Sequence, residues 1–396
     1  MPLKKVFAVF ICILLVFAVP SCNEAPRNDV PVAGKETGAA VEELPIRAAG
    51  AGATAKTDSN AGPAPAGGAV PGLGEFGETA VDRESAPGGN ARASMPAEPG
   101  APGAFPPAAG TGNRVFLHVT RDYGREILFS REVGCRPGDT VLDILDRNLE
   151  VQTAYGGGFV SGIAGLESGY TGRTWGREKK DWLYWVNGVA AAVGPAQYRP
   201  RPGDYIWWDY QDWSAGQMAN AVVGAFPQPF VNGYGSGAGG ALVLHPVGYE
   251  AEAALLESVL RKHGVGSVRT TLLDQELVRQ REKPTLVVGA WEHLGDVPDL
   301  AHWNDQGPRG GVYLRLAVGE VLRLGPDGRE TGRHGAGTGV LWAVGNGPGD
   351  RAPLFMVTGA DRAGVRAAVE LLVREPFRCR GTFALVVTGQ DTVRVP

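Results

Sequence analysis

Apolar and polar positions alternate along Arg114-Val-Phe-Leu-His-Val-Thr120, the period of a half-buried strand. Asp122-Tyr-Gly-Arg125 supplies turn residues, and Glu126 to Val133 reads as a second strand, so the two form a hairpin. Pro137-Gly138-Asp139 then announces a helix that Asp139 or Thr140 can cap, with Val141, Leu142, Ile144 and Leu145 as its apolar face. Short extended pieces follow around 151–155 and 159–163. A Gly- and Arg-rich loop leads to strands Trp182 to Val186 and Tyr205 to Tyr210, separated by the turn signals Asn187-Gly188 and Pro202-Gly203-Asp204. Hairpin, helix and further strands within about 100 residues is the order of an α+β β-grasp, ubiquitin-like module.

After Trp213 the periodicity lapses. Residues 214–240 read as a Gly/Pro-containing connector. Regular pattern resumes with a strand at Ala241 to His245, a helix at Glu250 to His263, a strand at Ser267 to Leu273, a short helix at Asp274 to Arg281 and an apolar strand at Pro284 to Ala290. Further strands are expected at 311–317, 320–324, 339–344, 354–358 and 383–388, with a helix at 362–374 capped by Asp361. Alternating strands and helices predict a three-layer α/β domain with a mostly parallel sheet.

Within the first module, Phe159-Val-Ser-Gly-Ile-Ala-Gly165, Trp182-Leu-Tyr-Trp-Val-Asn-Gly188 and Gly194-Pro-Ala-Gln-Tyr-Arg-Pro-Arg-Pro-Gly-Asp-Tyr-Ile206 resemble the DUF4430 family. That family is similar to the C-terminal β domain of transcobalamin and intrinsic factor, the vitamin B12 carriers. The resemblance spans about residues 114–213, a quarter of the chain, and implies the fold and a cobalamin-like (corrinoid) ligand. The large helical domain with which those carriers enclose their ligand has no counterpart here.

The start of the chain has a different character. Lys4 and Lys5 precede the apolar run Val6 to Val19, of signal-peptide length and too short for a comfortable membrane span. It ends in Val19-Pro20-Ser21-Cys22, which resembles the lipobox of bacterial lipoproteins. The resemblance implies cleavage after residue 21 and a lipid anchor on Cys22, hence an extracytoplasmic protein held to the cell membrane. Residues 22–113 are dominated by Ala, Gly and Pro with almost no aromatics. Such a stretch cannot bury enough apolar area to offset its conformational entropy, so a disordered linker is expected. The expected organisation is therefore signal peptide 1–21, linker 22–113, β-grasp domain 114–213, connector 214–240 and α/β domain 241–396.

Charge and cysteine content narrow the partners. The formal net charge is -4 and no Lys/Arg cluster occurs, which argues against nucleic acid. Four cysteines (Cys12, Cys22, Cys135, Cys379) are too few for a disulfide scaffold. Whether Cys135 and Cys379 pair is left open, with two separate buried thiols favoured. The six histidines lack metal-ligand spacing, and neither a G-x-S-x-G elbow nor a P-loop appears. Glu292-His293 with His302 reads as a surface loop, and the glycine runs at 335–339 and 345–349 as turns. No enzyme is indicated.

The strongest functional signal is aromatic density: ten Trp and Tyr residues lie between Trp175 and Trp213. Strand parity places Ile206, Trp208 and Tyr210 on one face and Tyr205, Trp207 and Asp209 on the other. Trp182, Tyr184 and Val186 are expected to face the helix, leaving Leu183 and Trp185 outside. The expectation is an exposed patch of Trp185, Tyr205 and Trp207, with Asn187 and Asp209 as polar partners, that binds a small ligand or envelope component non-covalently. The alternatives are that the α/β domain packs over this face, or that the protein is structural or adhesive and contacts wall polymer or other proteins.

Overall fold

The computed structural model describes residues 112–173, 175–216, 218–235 and 240–396. The expected signal peptide, the lipidation site Cys22 and the linker up to residue 111 lie outside the described residues. All described residues belong to one compact unit, Ala91–Pro396. No described helix is long and apolar enough to cross a membrane.

The first sheet is built from β1 (Arg114–Arg121), β2 (Glu126–Gly134), β6 (Lys180–Val186), β7 (Val189–Ala190) and β8 (Tyr205–Asp212), ordered β2-β1-β8-β6-β7. β1 and β8 run parallel and the other neighbours antiparallel. Helix α1 (Val141–Asn148) crosses one face. Its N-terminus is closed by a capping box: Asp143 N–H donates to Thr140 Oγ1 at 3.1 Å and Thr140 N–H to the Asp143 carboxylate at 2.8 Å. Of the two expected caps Thr140 holds the place, because Asp139 is engaged by Arg147. Val141, Ile144 and Leu145 bury against Val115, Leu117, Val119, Trp182, Tyr184, Val186, Ile206 and Trp208. Between α1 and β6 the chain makes a small separate sheet, β3 (Val151–Ala154), β4 (Phe159–Ile163) and β5 (Leu166–Glu167).

Residues 218–235 are not a free connector. Ala219, Ala221, Val222, Val223, Ala225, Phe226 and Phe230 are buried, the last of them on the short helix α2 (Gln228–Val231). The chain here threads between the two halves, and a Cβ on Gly224 would lie 2.5 Å from the Thr382 backbone nitrogen. Glycine and proline in the sequence mark this tight passage, which their composition alone cannot tell from a loose linker.

The second half is built on a seven-stranded sheet ordered β10-β9-β11-β16-β15-β17-β18. Its strands are β9 (Ala241–His245), β10 (Val268–Leu272), β11 (Thr285–Val288), β15 (Thr338–Val344), β16 (Leu354–Gly359), β17 (Ala384–Thr388) and β18 (Asp391–Val395). Helices α3 (Glu250–Lys262) and α7 (Arg362–Arg374) cover one face. The short helices α4 (Gln275–Arg279), α5 (Trp291–Leu294) and α6 (Pro298–Gln306) lie in the stretch between β10 and β12. A three-stranded sheet, β12 (Leu314–Ala317), β13 (Glu320–Leu324) and β14 (Glu330–His334), follows α6.

The large sheet is mixed rather than mostly parallel: β10, β9, β11 and β16 pair in parallel, whereas β15, β17 and β18 join antiparallel. β15 meets β16, and β17 meets β18, through short hairpin-like returns, and such connections can join only antiparallel neighbours. On β15, Leu341 and Ala343 face the helices, whereas Val340, Trp342 and Val344 face the opposite way. That second face is shared by Trp291 and Leu294 of α5, Leu300 of α6 and residues of the first sheet.

Candidate ligand-binding cleft

Strand parity sorts the aromatics as expected, but the face assigned to a ligand is covered. Trp185, Tyr205 and Trp207 are each 0% exposed. Phe383, at the entry to β17, caps them: its ring lies 5.3 Å from that of Trp185, 5.0 Å from Trp207 and 5.4 Å from Tyr123. Tyr205 stacks on Phe116 at 5.3 Å, and the Arg380 guanidinium lies over the Phe116 ring at 4.5 Å. The indole N–H groups are satisfied inside the protein, Trp185 donating to the Ala219 carbonyl and Trp207 to Thr120 Oγ1, each at 2.7 Å.

The two polar residues of the expected patch are equally internal. Asn187, at φ 53° in the hairpin turn, donates to Asp204 Oδ1 at 2.8 Å and to the Gly233 carbonyl at 2.7 Å, and accepts from the Tyr205 N–H at 2.8 Å. Asp209 accepts from Thr120 Oγ1, Tyr123 N–H and Gly124 N–H at 2.6–3.0 Å. Burial pushes its carboxyl up to about 7 against the pull of these donors. A large interior partner supplied by the same chain had the stronger claim on this face than solvent or ligand.

The approach of the halves is close enough to dictate glycine. A Cβ at Gly381, whose φ is +63°, would lie 2.3 Å from His118 Nε2, and one at Gly124 would lie 2.0 Å from the Gly381 carbonyl oxygen. His118 stays neutral, its pKa lowered to about 3 by burial and by the neighbouring Arg380 and Arg394. Its Nδ1 is 2.9 Å from Ser130 Oγ. The other candidate groups do not assemble: Glu292 and His293 pair at 3.4 Å on the surface, while His302 contacts Gln306. Cys135 and Cys379 are separate buried thiols, the latter pushed up to about 12 by burial.

A cavity of about 710 Å³ opens at the opposite face and outer edge of the first sheet, between β4 and β6. Trp182, Tyr184 and Trp208 form its floor, 155–160 one wall and 191–197 the other. Tyr184 stacks on Trp208 at 4.6 Å and donates to the Val193 carbonyl at 2.5 Å. The rim carries Tyr155 and Phe159, exposed by 69% and 58%, whose rings meet edge to face at 5.6 Å. Tyr155 sits at φ 54°, ahead of two left-handed glycines. A non-glycine residue held there costs on the order of 1 kcal/mol, a strain that clusters at functional positions. Opposite, Gly194 comes so near that a Cβ would lie 2.7 Å from the Gly158 carbonyl oxygen.

Polar groups on the floor are few, and the Trp182 indole N–H, like the Tyr184 hydroxyl, is engaged, donating to the Leu166 carbonyl at 2.9 Å. The Trp208 indole N–H is buried without a hydrogen-bond partner. Odd-numbered residues of β6 bond to β8, as the Lys179–Trp213 and Asn187–Tyr205 ends of the ladder show, so the even-numbered ones turn outward. Of these, Lys180 and Tyr184 have carbonyls taken by Gly169 and Ala191. Among the described residues the Trp182 N–H and carbonyl and the Tyr184 N–H make no hydrogen bond. An apolar hollow of several hundred Å³ with a few convergent polar groups is the usual form of a small-molecule site.

Residues 138–212 match the family model of DUF4430, a domain of unknown function. The cleft floor, both walls and the rim pair all fall inside this DUF4430 segment. A comparison with curated proteins yields no match. The glycine run 156–158 between Tyr155 and Phe159 is the sequence feature that marks this rim, a turn with positive φ at Tyr155, Gly156 and Gly157. Among the described residues no His, Cys, Asp and Glu group is placed to hold a metal ion.

Proposed function

We propose that this chain is a cell-envelope lipoprotein, anchored through Cys22, whose DUF4430 segment binds a ligand non-covalently in the cleft between β4 and β6. The supporting observation is the cleft itself: about 710 Å³, floored by Trp182, Tyr184 and Trp208, with Tyr155 and Phe159 held open to solvent at its mouth. Aromatic side chains offer area at little entropic cost, and the outward-turned β6 edge groups offer orientation. The arrangement of the segment, a hairpin, a helix across the sheet and a last strand parallel to the first, supports a β-grasp assignment. In this reading the second half is a platform: it buries the sheet's other face and leaves only the cleft side for binding.

A corrinoid is the ligand implied by the resemblance to the vitamin B12 carriers. The reading is tested by titrating the full chain with cobalamin and with smaller ring compounds while following tryptophan emission, since three of the nine tryptophans (Trp182, Trp208, Trp213) line the cleft. Saturable quenching that Phe159→Ser weakens supports it; unquenched emission across the series would refute cleft binding.

An adhesive envelope role is the second reading. It is favoured by the exposure of Trp175, 86% open on the same segment, together with Tyr155 and Phe159. Co-sedimentation with cell-wall material that survives loss of the cleft but not Trp175→Ala would select this alternative.

A further inference from the structure

Resting on the cleft reading above, we propose that the ligand is an anion: a ring-bearing apolar body in the cleft and an acidic group held beyond its end by Lys179 and Arg309. A second cavity, about 640 Å³, shares Leu183, Trp213 and Met218 with the first, so the two run together around the β6 edge. Its remaining described lining is Lys179, Ser214, Ala215, Gly216 and Arg309, two cations and no carboxylate. The hollow thus passes from an aromatic trough to a basic end.

Both cations are available. Lys179 stands 5.3 Å from the centroid of the Trp213 ring, which holds its ammonium at the junction of the two cavities. Among the described residues neither Lys179 nor Arg309 forms an ion pair; the neighbouring Glu178 is taken by Lys180. Two further carboxylates lie nearby, each turned onto hydrogen-bond donors of the protein, and Asp181 also lines the first cavity. Asp212 accepts from Ser214 N–H at 2.8 Å, and Asp181 is buried, accepting from Trp213 Nε1 at 3.1 Å and Thr171 N–H at 3.0 Å. Asp212 feels both Lys180 and Lys179 and offsets part of their charge.

Arg309 comes from the helical turn Gly307–Gly310 of the second half. That turn abuts the loop after β8, where a Cβ on Gly216 would lie 2.8 Å from the Pro308 carbonyl oxygen. The site is therefore composite, with the apolar part supplied by the DUF4430 segment and the charge selectivity by the platform beneath it. This gives the second half a direct part in choosing the ligand.

The test uses two fluorescent probes of the same ring system on the full chain: anilinonaphthalene sulfonate, an anion, and phenylnaphthylamine, its uncharged counterpart. Two solvent-exposed ion pairs predict that the anion binds about tenfold more tightly at low salt, with the advantage shrinking as salt screens it. Lys179→Gln with Arg309→Gln should abolish the preference and leave the neutral probe's affinity unchanged. Equal affinity for the two probes, or a preference that survives the double variant, would overturn the charge assignment while leaving the cleft reading intact. Failure of both probes to bind, or binding indifferent to Phe159→Ser and Tyr155→Ser, would sink the cleft reading and this proposal together.

Discussion

Trp207→Ala separates a ligand-facing tryptophan from an interior one. The side chain is fully buried, with ring centroids 5.0 Å from Phe383, 5.3 Å from Trp185 and 6.1 Å from His118, and its indole N–H donates to Thr120 Oγ1. Truncating a core tryptophan to alanine costs about 3–5 kcal/mol. The lost hydrogen bond adds ~1 kcal/mol, moderated because Thr120 keeps its bond to Asp209. A loss of roughly 4 kcal/mol lowers the melting temperature by roughly 7 °C in a folded unit of this size. Urea unfolding of the full chain, followed by far-ultraviolet circular dichroism, reads it as a lower midpoint at unchanged slope. Trp175→Ala is the internal control, since 86% exposure predicts a change within about 0.5 kcal/mol. A Trp207→Ala protein as stable as its parent would mean that the two halves do not cover this face, and the platform argument would fail.

Further outcomes follow from the same contacts. Asp209 and His118 lie in the same buried region and oppose each other in pH. A carboxyl raised to about 7 binds more protons folded than unfolded, so its contribution falls as pH rises from the ordinary carboxylate range to about 7. A histidine lowered to about 3 is bound by fewer protons folded than unfolded, so its contribution is complete above the ordinary histidine range and is lost as pH falls toward about 3. His118→Gln should therefore expose a stability that declines from pH 4 to 7, and Asp209→Asn one that rises, measured as urea midpoints across that range; parallel profiles would contradict the assignment. Gly194→Ala, which brings a methyl to 2.7 Å from the Gly158 carbonyl oxygen, should push the cleft walls apart, weaken probe binding several-fold and lower the melting temperature, because the obstacle is backbone that must itself move. Cys22→Ala should move the protein from the membrane pellet to the soluble fraction; retention in the pellet would remove the anchor from the proposal.

Much of the local structure was legible from the order of residues. The hairpin of β1 and β2, the capped helix at 141–148, the helix at 362–374 behind Asp361 and the strand Glu320–Leu324 all fall where periodicity and turn residues place them. These are decided within a few residues, by side-chain alternation and by hydrogen bonds to the backbone three or four positions away. Parity also sorted Trp182, Tyr184 and Trp208 from Trp185, Tyr205 and Trp207 correctly. The short elements α5, α6, β14 and β18 carry too few periodic positions to stand out; α5 and α6 are held by a few buried side chains, and β14 and β18 by pairing with β13 and β17.

Which of the two aromatic faces meets water is another kind of question. Parity says that two residues point apart, and it is silent on what lies beyond either of them. Phe383 is 176 positions from Trp207 in the sequence, yet it fills the space that a ligand was expected to fill. Conversely, the side expected to be solid core parts between β4 and β6 into the cleft, because the three-stranded excursion after α1 pairs with itself rather than with β6. Composition likewise cannot tell a wedged segment such as 218–235 from a loose one. Alternation and capping are settled by near neighbours; exposure is settled by contacts between distant parts of the chain, and only the folded arrangement decides those.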